Sequence, residues 1–372
     1  MFLVCIAAVA GVSLASCHHG HCYWPEPDNP GPTPSQEHFV TVKTNCVLDI
    51  DGIVDLDDMP MFTTVDLGSV SPGSSSAADG SQTGGPGRAG EPEYDIRYTI
   101  DVFNSDTRDD SRAERRIIVT LPAGDATSRS LDSNLQPGEY RLRVWADYVP
   151  AGTDDDKFYT TGDLRNISII PNRDGTHPGN THYRDAFVGT VTVEVPQDIR
   201  YASSWDHDSI VDRHTRVTLE RPQALYYFMA TDLRKFLSGQ ASDAESAAAY
   251  LEACKVRVRY TGYMPWVFNI VTDRPVDSKL GQEYNAQIQR IDADRAILAF
   301  DHVFVGENET SVDVALEIYD PSGTLVSSVG PVTVPLNRGR YTLVEGDFLS
   351  ATSAGGVGID PHFKGEFNIE IE

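Results

Sequence analysis

Between Tyr94 and Asn104 the chain reads YDIRYTIDVFN, where Ile96, Tyr98, Ile100 and Val102 alternate with Arg97, Thr99 and Asp101. A period of two sets the apolar side chains on one face of a strand and the polar ones on the other. The same period governs Phe39 to Thr44, then RRIIVTLP, GEYRLRVWADYV and FVGTVTVEVP, each closed by proline, glycine or aspartate. It returns in KVRVRYTGY, RAILAFDHVFV, SVDVALEIYD, VTVPL and FNIEIE, with a hairpin turn expected from Asp320 to Gly323. Short strands at regular spacing predict an all-β fold, an antiparallel sandwich or barrel.

Two helical signals interrupt the strands. ATDLRKFL reads as a short helix capped by Thr231 or Asp232. In SDAESAAAYLEAC, Ser242 and Glu245 stand at capping-box spacing before an alanine-rich run.

The N-terminus has a different organisation. Phe2 to Ala15 is apolar, about as long as the core of a signal peptide and too short for a bilayer span. It ends in Leu14-Ala15-Ser16-Cys17, which matches the bacterial lipobox and makes the Cys17 thiol the expected lipidation site. No Lys or Arg precedes the apolar run, a departure from the usual signal pattern. Residues 1–16 are then a lipoprotein signal peptide and 17–37 a tether, with five prolines from Pro25 to Pro34.

The body divides by composition. Residues 67–93 are rich in Gly, Ser and Pro and are expected to form a disordered loop. Val195 to Arg216 loses the alternation, which places a domain boundary near residue 212, between units 38–212 and 213–372. Limited proteolysis is expected to cut within 200–216 and 67–93 before it reaches any strand; early cuts inside 310–345 would contradict this division.

The formal charge of -25, with 30 basic against 55 acidic residues, excludes nucleic acid as a partner. Five cysteines give no disulfide framework. Cys5 leaves with the signal, Cys17 is acylated, and Cys22, Cys46 and Cys254 remain in no metal-binding spacing.

No nucleophile elbow, zincin, phosphate-loop or dinucleotide motif occurs. His18, His19, His21 and Cys22 read as tether, and Asp49 to Asp58 as an acidic strand end without the calcium-loop register. Asp206, His207 and Asp208 lack a nucleophile in register. Trp145, Trp205 and Trp266 are expected mostly to fill cores or pair across strands, the alternative being an exposed row that stacks on sugar rings. The chain is therefore expected to be no enzyme, with no metal and no cofactor.

Three C-terminal stretches carry a resemblance: Glu220-Arg221-Pro222-Gln223-Ala224, YTGYMPWVFNIVTDRP (Tyr260 to Pro275), and VPLNRGRYTLVEGDFL (Val334 to Leu349) leading to IDPHFKGEFNIEIE. Together they resemble the fimbrillin superfamily of Bacteroidetes, the fimbrial subunits and their lipoprotein anchors. The resemblance implies two tandem transthyretin-like β-sandwiches, the second with one or two short helices, on a lipidated chain of the outer membrane. It also implies a fimbrial anchor, accessory or tip subunit whose partners are fimbrial subunits or surface ligands; the alternative is a surface glycan-binding lipoprotein. Arg221, Arg338 and Arg340 are expected in surface ion pairs, with Gly339 in a tight turn. Asp208-Ser209-Ile210 resembles the O-glycosylation sequon of Bacteroidetes, which makes Ser209 a candidate acceptor.

Overall fold

A computed structural model of the chain describes residues 39–51, 94–105, 112–122, 129–132, 135–196, 198–201, 210–238, 240, 243–350 and 367–370. The N-terminal half contributes β1 (Phe39–Asp51), β2 (Tyr94–Asn104), β3 (Arg115–Pro122), β4 (Arg129–Asp132), β5 (Gly138–Pro150), β6 (Tyr159–Thr160) and β7 (Ile167–Ile169). A 3-10 turn at His182–Arg184 precedes β8 (Ala186–Val195), β9 (Asp198–Tyr201) and β10 (Ile210–Thr218). The C-terminal half begins with β11 (Gln223–Ala230), α1 (Leu233–Leu237), α2 (Ala244–Ala253), β12 (Lys255–Tyr260) and β13 (Met264–Asn269). It continues through β14 (Arg274–Lys279), β15 (Glu283–Ala286), β16 (Gln289–Arg290), β17 (Ala296–Phe304) and β18 (Thr310–Tyr319). Finally come β19 (Leu325–Leu336), β20 (Arg340–Gly346) and β21 (Phe367–Glu370).

Two sandwiches result. In the first, the sheet β3-β2-β5-β8 packs on β10-β1-β4 around Leu48, Ile50, Ile100, Leu142, Val144 and Val217. In the second, β16-β17-β11-β20-β21 packs on β15-β12-β18-β19 around Tyr226, Phe228, Val256, Leu298, Val314 and Leu316. Pairing is antiparallel except where β1 meets β10 and β11 meets β20, both parallel. Each parallel pair joins strands far apart in sequence, as crossover connections require.

A fifth sheet, β14-β13-β7-β6, joins the halves, with Val267 opposite Ser168 and Phe268 opposite Ile167. Val217 and Leu219 belong to the first core, and Trp145 and Tyr159 to the second, so packing runs across residue 212.

The polar face of β2 is buried along with its apolar face. Arg97, Thr99 and Asp101 are covered by the chain between β5 and β7. Charges buried there must be paired. Arg97 grips both Asp147 oxygens at 3.0 and 2.8 Å and donates to Asp156 at 2.8 Å, while Arg116 grips both Asp101 oxygens at 2.6 and 2.8 Å.

Both helices form where expected, with different caps. Asp243, one residue after the expected Ser242, accepts from Ser246 N–H at 2.8 Å, and the Ser246 hydroxyl closes the reciprocal box. Aspartate caps as well as serine does, so the box slides one residue along. Asp243→Ala should cost about 1 kcal/mol, read by chemical denaturation. Ahead of α1, Asp232 does not cap; its carboxylate accepts from Leu349 and Ser350 N–H at 3.2 and 2.6 Å and ties down the end of the sandwich.

The Asp320 turn forms as expected, with Gly323 at φ 84°. Gly339 sits at φ 69° in the turn before β20, a backbone that a side chain would strain.

Candidate functional site

The densest polar cluster lies where the halves meet. After β7 the chain runs out over the second sandwich and returns through the 3-10 turn at His182–Arg184 to β8. His177 N–H donates to Glu283 O at 2.9 Å, and Asn180 N–H to Phe300 O at 3.1 Å, which seats this segment against β15 and β17. Gly179 lets the chain lie flat on Tyr284. A Cβ there would fall 2.6 Å from the ring, so Gly179→Ala should destabilise by about 1–3 kcal/mol in a thermal melt.

At the centre is Asp301, only 1 % exposed. One carboxylate oxygen receives Arg184 and the His302 N–H at 2.9 Å; the other receives His177 Nε2 at 2.6 Å and Tyr260 O–H at 2.5 Å. Tyr226 donates on to the Tyr260 hydroxyl at 2.9 Å, lies 3.2 Å from the Tyr284 hydroxyl, and Tyr284 donates to Phe300 O at 3.0 Å. Arg184 also donates to His302 O at 3.1 Å, its own carbonyl accepts from Tyr159, and Gln223 donates to the Tyr159 hydroxyl at 2.6 Å.

Burial alone would push the Asp301 carboxyl up, but Arg184 and His177 outweigh it and hold the group at about 2. His177 is driven down by burial, assisted by the Arg184 cation against the pull of Asp301. Burial lowers His182 to about 4 and drives His302 well down too. At neutral pH the cluster therefore holds one carboxylate, one guanidinium and neutral imidazoles.

A paired Asp and His beside tyrosines has the look of acid–base machinery, yet the geometry gives a substrate no access. His177, Arg184, Asp301, His302, Tyr226, Tyr260 and Tyr284 are all buried. An open cleft of about 490 Å³ lies by Asp101, Arg116 and Arg165, and another of about 450 Å³ by Asp232 and Arg234; no residue of the cluster lines either. What the arrangement does is fasten the halves together.

Beside it, the motif arginines converge. Arg221, expected in a surface ion pair, is buried, with its guanidinium forked on Asp185 at 2.7 to 2.9 Å and lying over Phe187. Arg338 is half-buried and donates to Arg221 O at 2.9 Å and to Asp273 at 2.6 Å. One side chain thus ties together the three stretches that carry the sequence resemblance.

Of the other sequence candidates, Trp145 and Trp266 lie in the core as expected, and Cys254 is a buried free thiol pushed up to about 11 by burial. Asp49 pairs with His214 at 3.1 Å. Cys17, Ser209, the tether histidines, Cys22, Trp205 and Asp206 to Asp208 lie outside the described residues. Among the described residues no His, Cys, Asp and Glu side chains gather to hold a metal ion, and no helix is long and apolar enough to cross a membrane.

Sequence reasoning missed the Asp301 cluster. Its one legible trace is Asp301-His302 inside the otherwise apolar RAILAFDHVFV.

Comparison with known proteins places residues 61–372 in a family described as of unknown function, DUF6562. No curated protein matches the chain. Among solved structures the chain is similar to the fimbrial anchor protein Mfa2 from Porphyromonas gingivalis, at 10 % identity over 81 % of this chain and 90 % of that one, TM-score 0.37. It is similar to a candidate cell adhesion protein from Bacteroides eggerthii, at 11 % identity over 87 % and 91 %, TM-score 0.40. A third is a candidate polysaccharide-binding protein from Bacteroides thetaiotaomicron, at 7 % identity over 77 % and 80 %, TM-score 0.40.

Proposed function

The chain belongs to DUF6562, a family of unknown function, and on that premise we propose that it is a lipid-anchored, non-catalytic subunit of the cell surface that serves fimbrial assembly or adhesion. The observation that carries this reading is the convergence on Arg338. Three motifs that resemble fimbrillin signatures meet at one side chain, which makes them fastenings of a two-sandwich body and not parts of a reaction centre. The sealed Asp301 cluster supports the same reading. Its carboxylate is turned inward, and all four donors that it receives are buried with it.

Attachment through Cys17 would place the body outside the outer membrane, and the tether would let it reach partners there. The partners this reading calls for are other fimbrial subunits. Full-length protein in mild detergent, mixed with purified fimbrial subunits and separately with a panel of polysaccharides, distinguishes assembly from glycan capture. Retention of a fimbrial subunit supports the proposal; binding of a polysaccharide alone replaces it with a glycan-binding lipoprotein.

Ser209 belongs to the same proposal as an O-glycan acceptor, since Asp208-Ser209-Ile210 carries the sequon. Mass spectrometry of native protein should find the peptide containing Ser209 heavier by a glycan. An unmodified peptide would remove the assignment.

A further inference from the structure

The segment between β7 and β8 contributes two histidines to the junction, and β17 contributes a third facing them. The His182 ring stacks on Phe300 with centroids 4.2 Å apart and stands 6.4 Å from both the His302 and Tyr227 rings. His177 lies within 5.8 Å, centroid to centroid, of Tyr260, Trp266 and Tyr284. The charged groups around these rings are few. From β17 there is Asp301, from the segment Arg184 and Asp185, and from the loop before β11 Arg221. The tyrosines that face the cluster, Tyr159 from β6, Tyr226 and Tyr227 from β11, Tyr260 from β12 and Tyr284 from β15, are held neutral by burial.

These charges already balance. Arg184 neutralises Asp301, and Arg221 neutralises Asp185. A proton added to any of the three histidines is therefore an uncompensated positive charge in a dry interior, next to a guanidinium that cannot give one up. Arg184 lies 2.8 Å from His177 Nε2, so the second cation would arise in direct contact with the first.

We propose that residues 171–185 form an acid-sensitive clasp, which locks the two halves together at neutral pH and lets go of β15 and β17 when its histidines take up protons. The opening is local because two of the three histidines, His177 and His182, ride on the segment and reach water when it lifts. Each native imidazole is held below its ordinary 6.5, so the lifted state binds more protons and gains as pH falls below that value. For His182, held at about 4, opening at pH 5 is about 20-fold more frequent than at pH 7. Asp301 adds its own loss only below its ordinary 3.8, outside this window.

Amide hydrogen exchange of the full chain at pH 7 and pH 5, compared as protection factors, tests the clasp. Peptides from 171–185 should lose at least tenfold in protection at pH 5, while peptides from β18 keep theirs. His182→Phe preserves stacking on Phe300 and removes one titration, so it should shrink the acid loss and leave pH 7 unchanged. Equal protection of 171–185 at both pH values would overturn the proposal, as would loss by the same factor in β18 or an acid loss that His182→Phe leaves undiminished. Should the variant not fold, the wild-type comparison decides alone.

Discussion

Asp301→Asn is expected to destabilise the protein by about 3–5 kcal/mol, a fall in melting temperature on the order of 10 °C. The carboxylate satisfies four donors: the Arg184 guanidinium, His177 Nε2, the Tyr260 hydroxyl and the His302 N–H. An asparagine keeps the shape but offers one acceptor oxygen, and its amide turns two hydrogens toward groups that are donors themselves. Arg184 would then be a buried cation with no counter-charge, and that unpaired charge dominates the loss. The contrast is Asp294→Asn, which breaks an exposed pair with Arg234 at 2.9 Å and should change stability by less than about 0.5 kcal/mol. Chemical denaturation of both variants gives the comparison. A loss below about 1 kcal/mol for Asp301→Asn would mean that water reaches Arg184 and that the cluster does not fasten the halves.

The strands were legible because their period survives folding. RRIIVTLP is β3 to the residue, and SVDVALEIYD with its Asp320 turn became the β18–β19 hairpin. The misreadings have one physical source: each depended on partners far away in sequence. The burial of the polar face of β2 was not legible because the chain that covers it arrives some fifty residues later, as the Arg97 bonds to Asp147 and Asp154 show. Arg221 looked like a surface charge at a strand start because Asp185, its partner, stands 36 residues upstream. The Asp301 cluster draws on residues up to 124 positions apart, and His177 comes from a turn-rich stretch without periodicity. A composition break near residue 212 says nothing of β7 pairing with β13, since the three residues of β7 carry no signal of which sheet they join.

The central claim is that a lipid on Cys17 holds this acidic body at the cell surface, and Cys17→Ser tests it most directly. An acyl chain draws about 0.8 kcal/mol from each methylene that it buries, whereas a body of formal charge -25 is repelled by anionic lipid heads. With the acyl groups gone nothing else in the proposal holds the protein to the bilayer, and the substitution lies outside the described residues that form the cores. Cells expressing wild-type and Cys17→Ser protein, labelled with palmitate and fractionated, should show label and membrane association for the first only. The variant should appear in the soluble fraction with an unchanged melting temperature. Equal membrane association and equal palmitate incorporation in the two proteins would contradict the lipid anchor, and with it the proposed place of this chain at the cell surface.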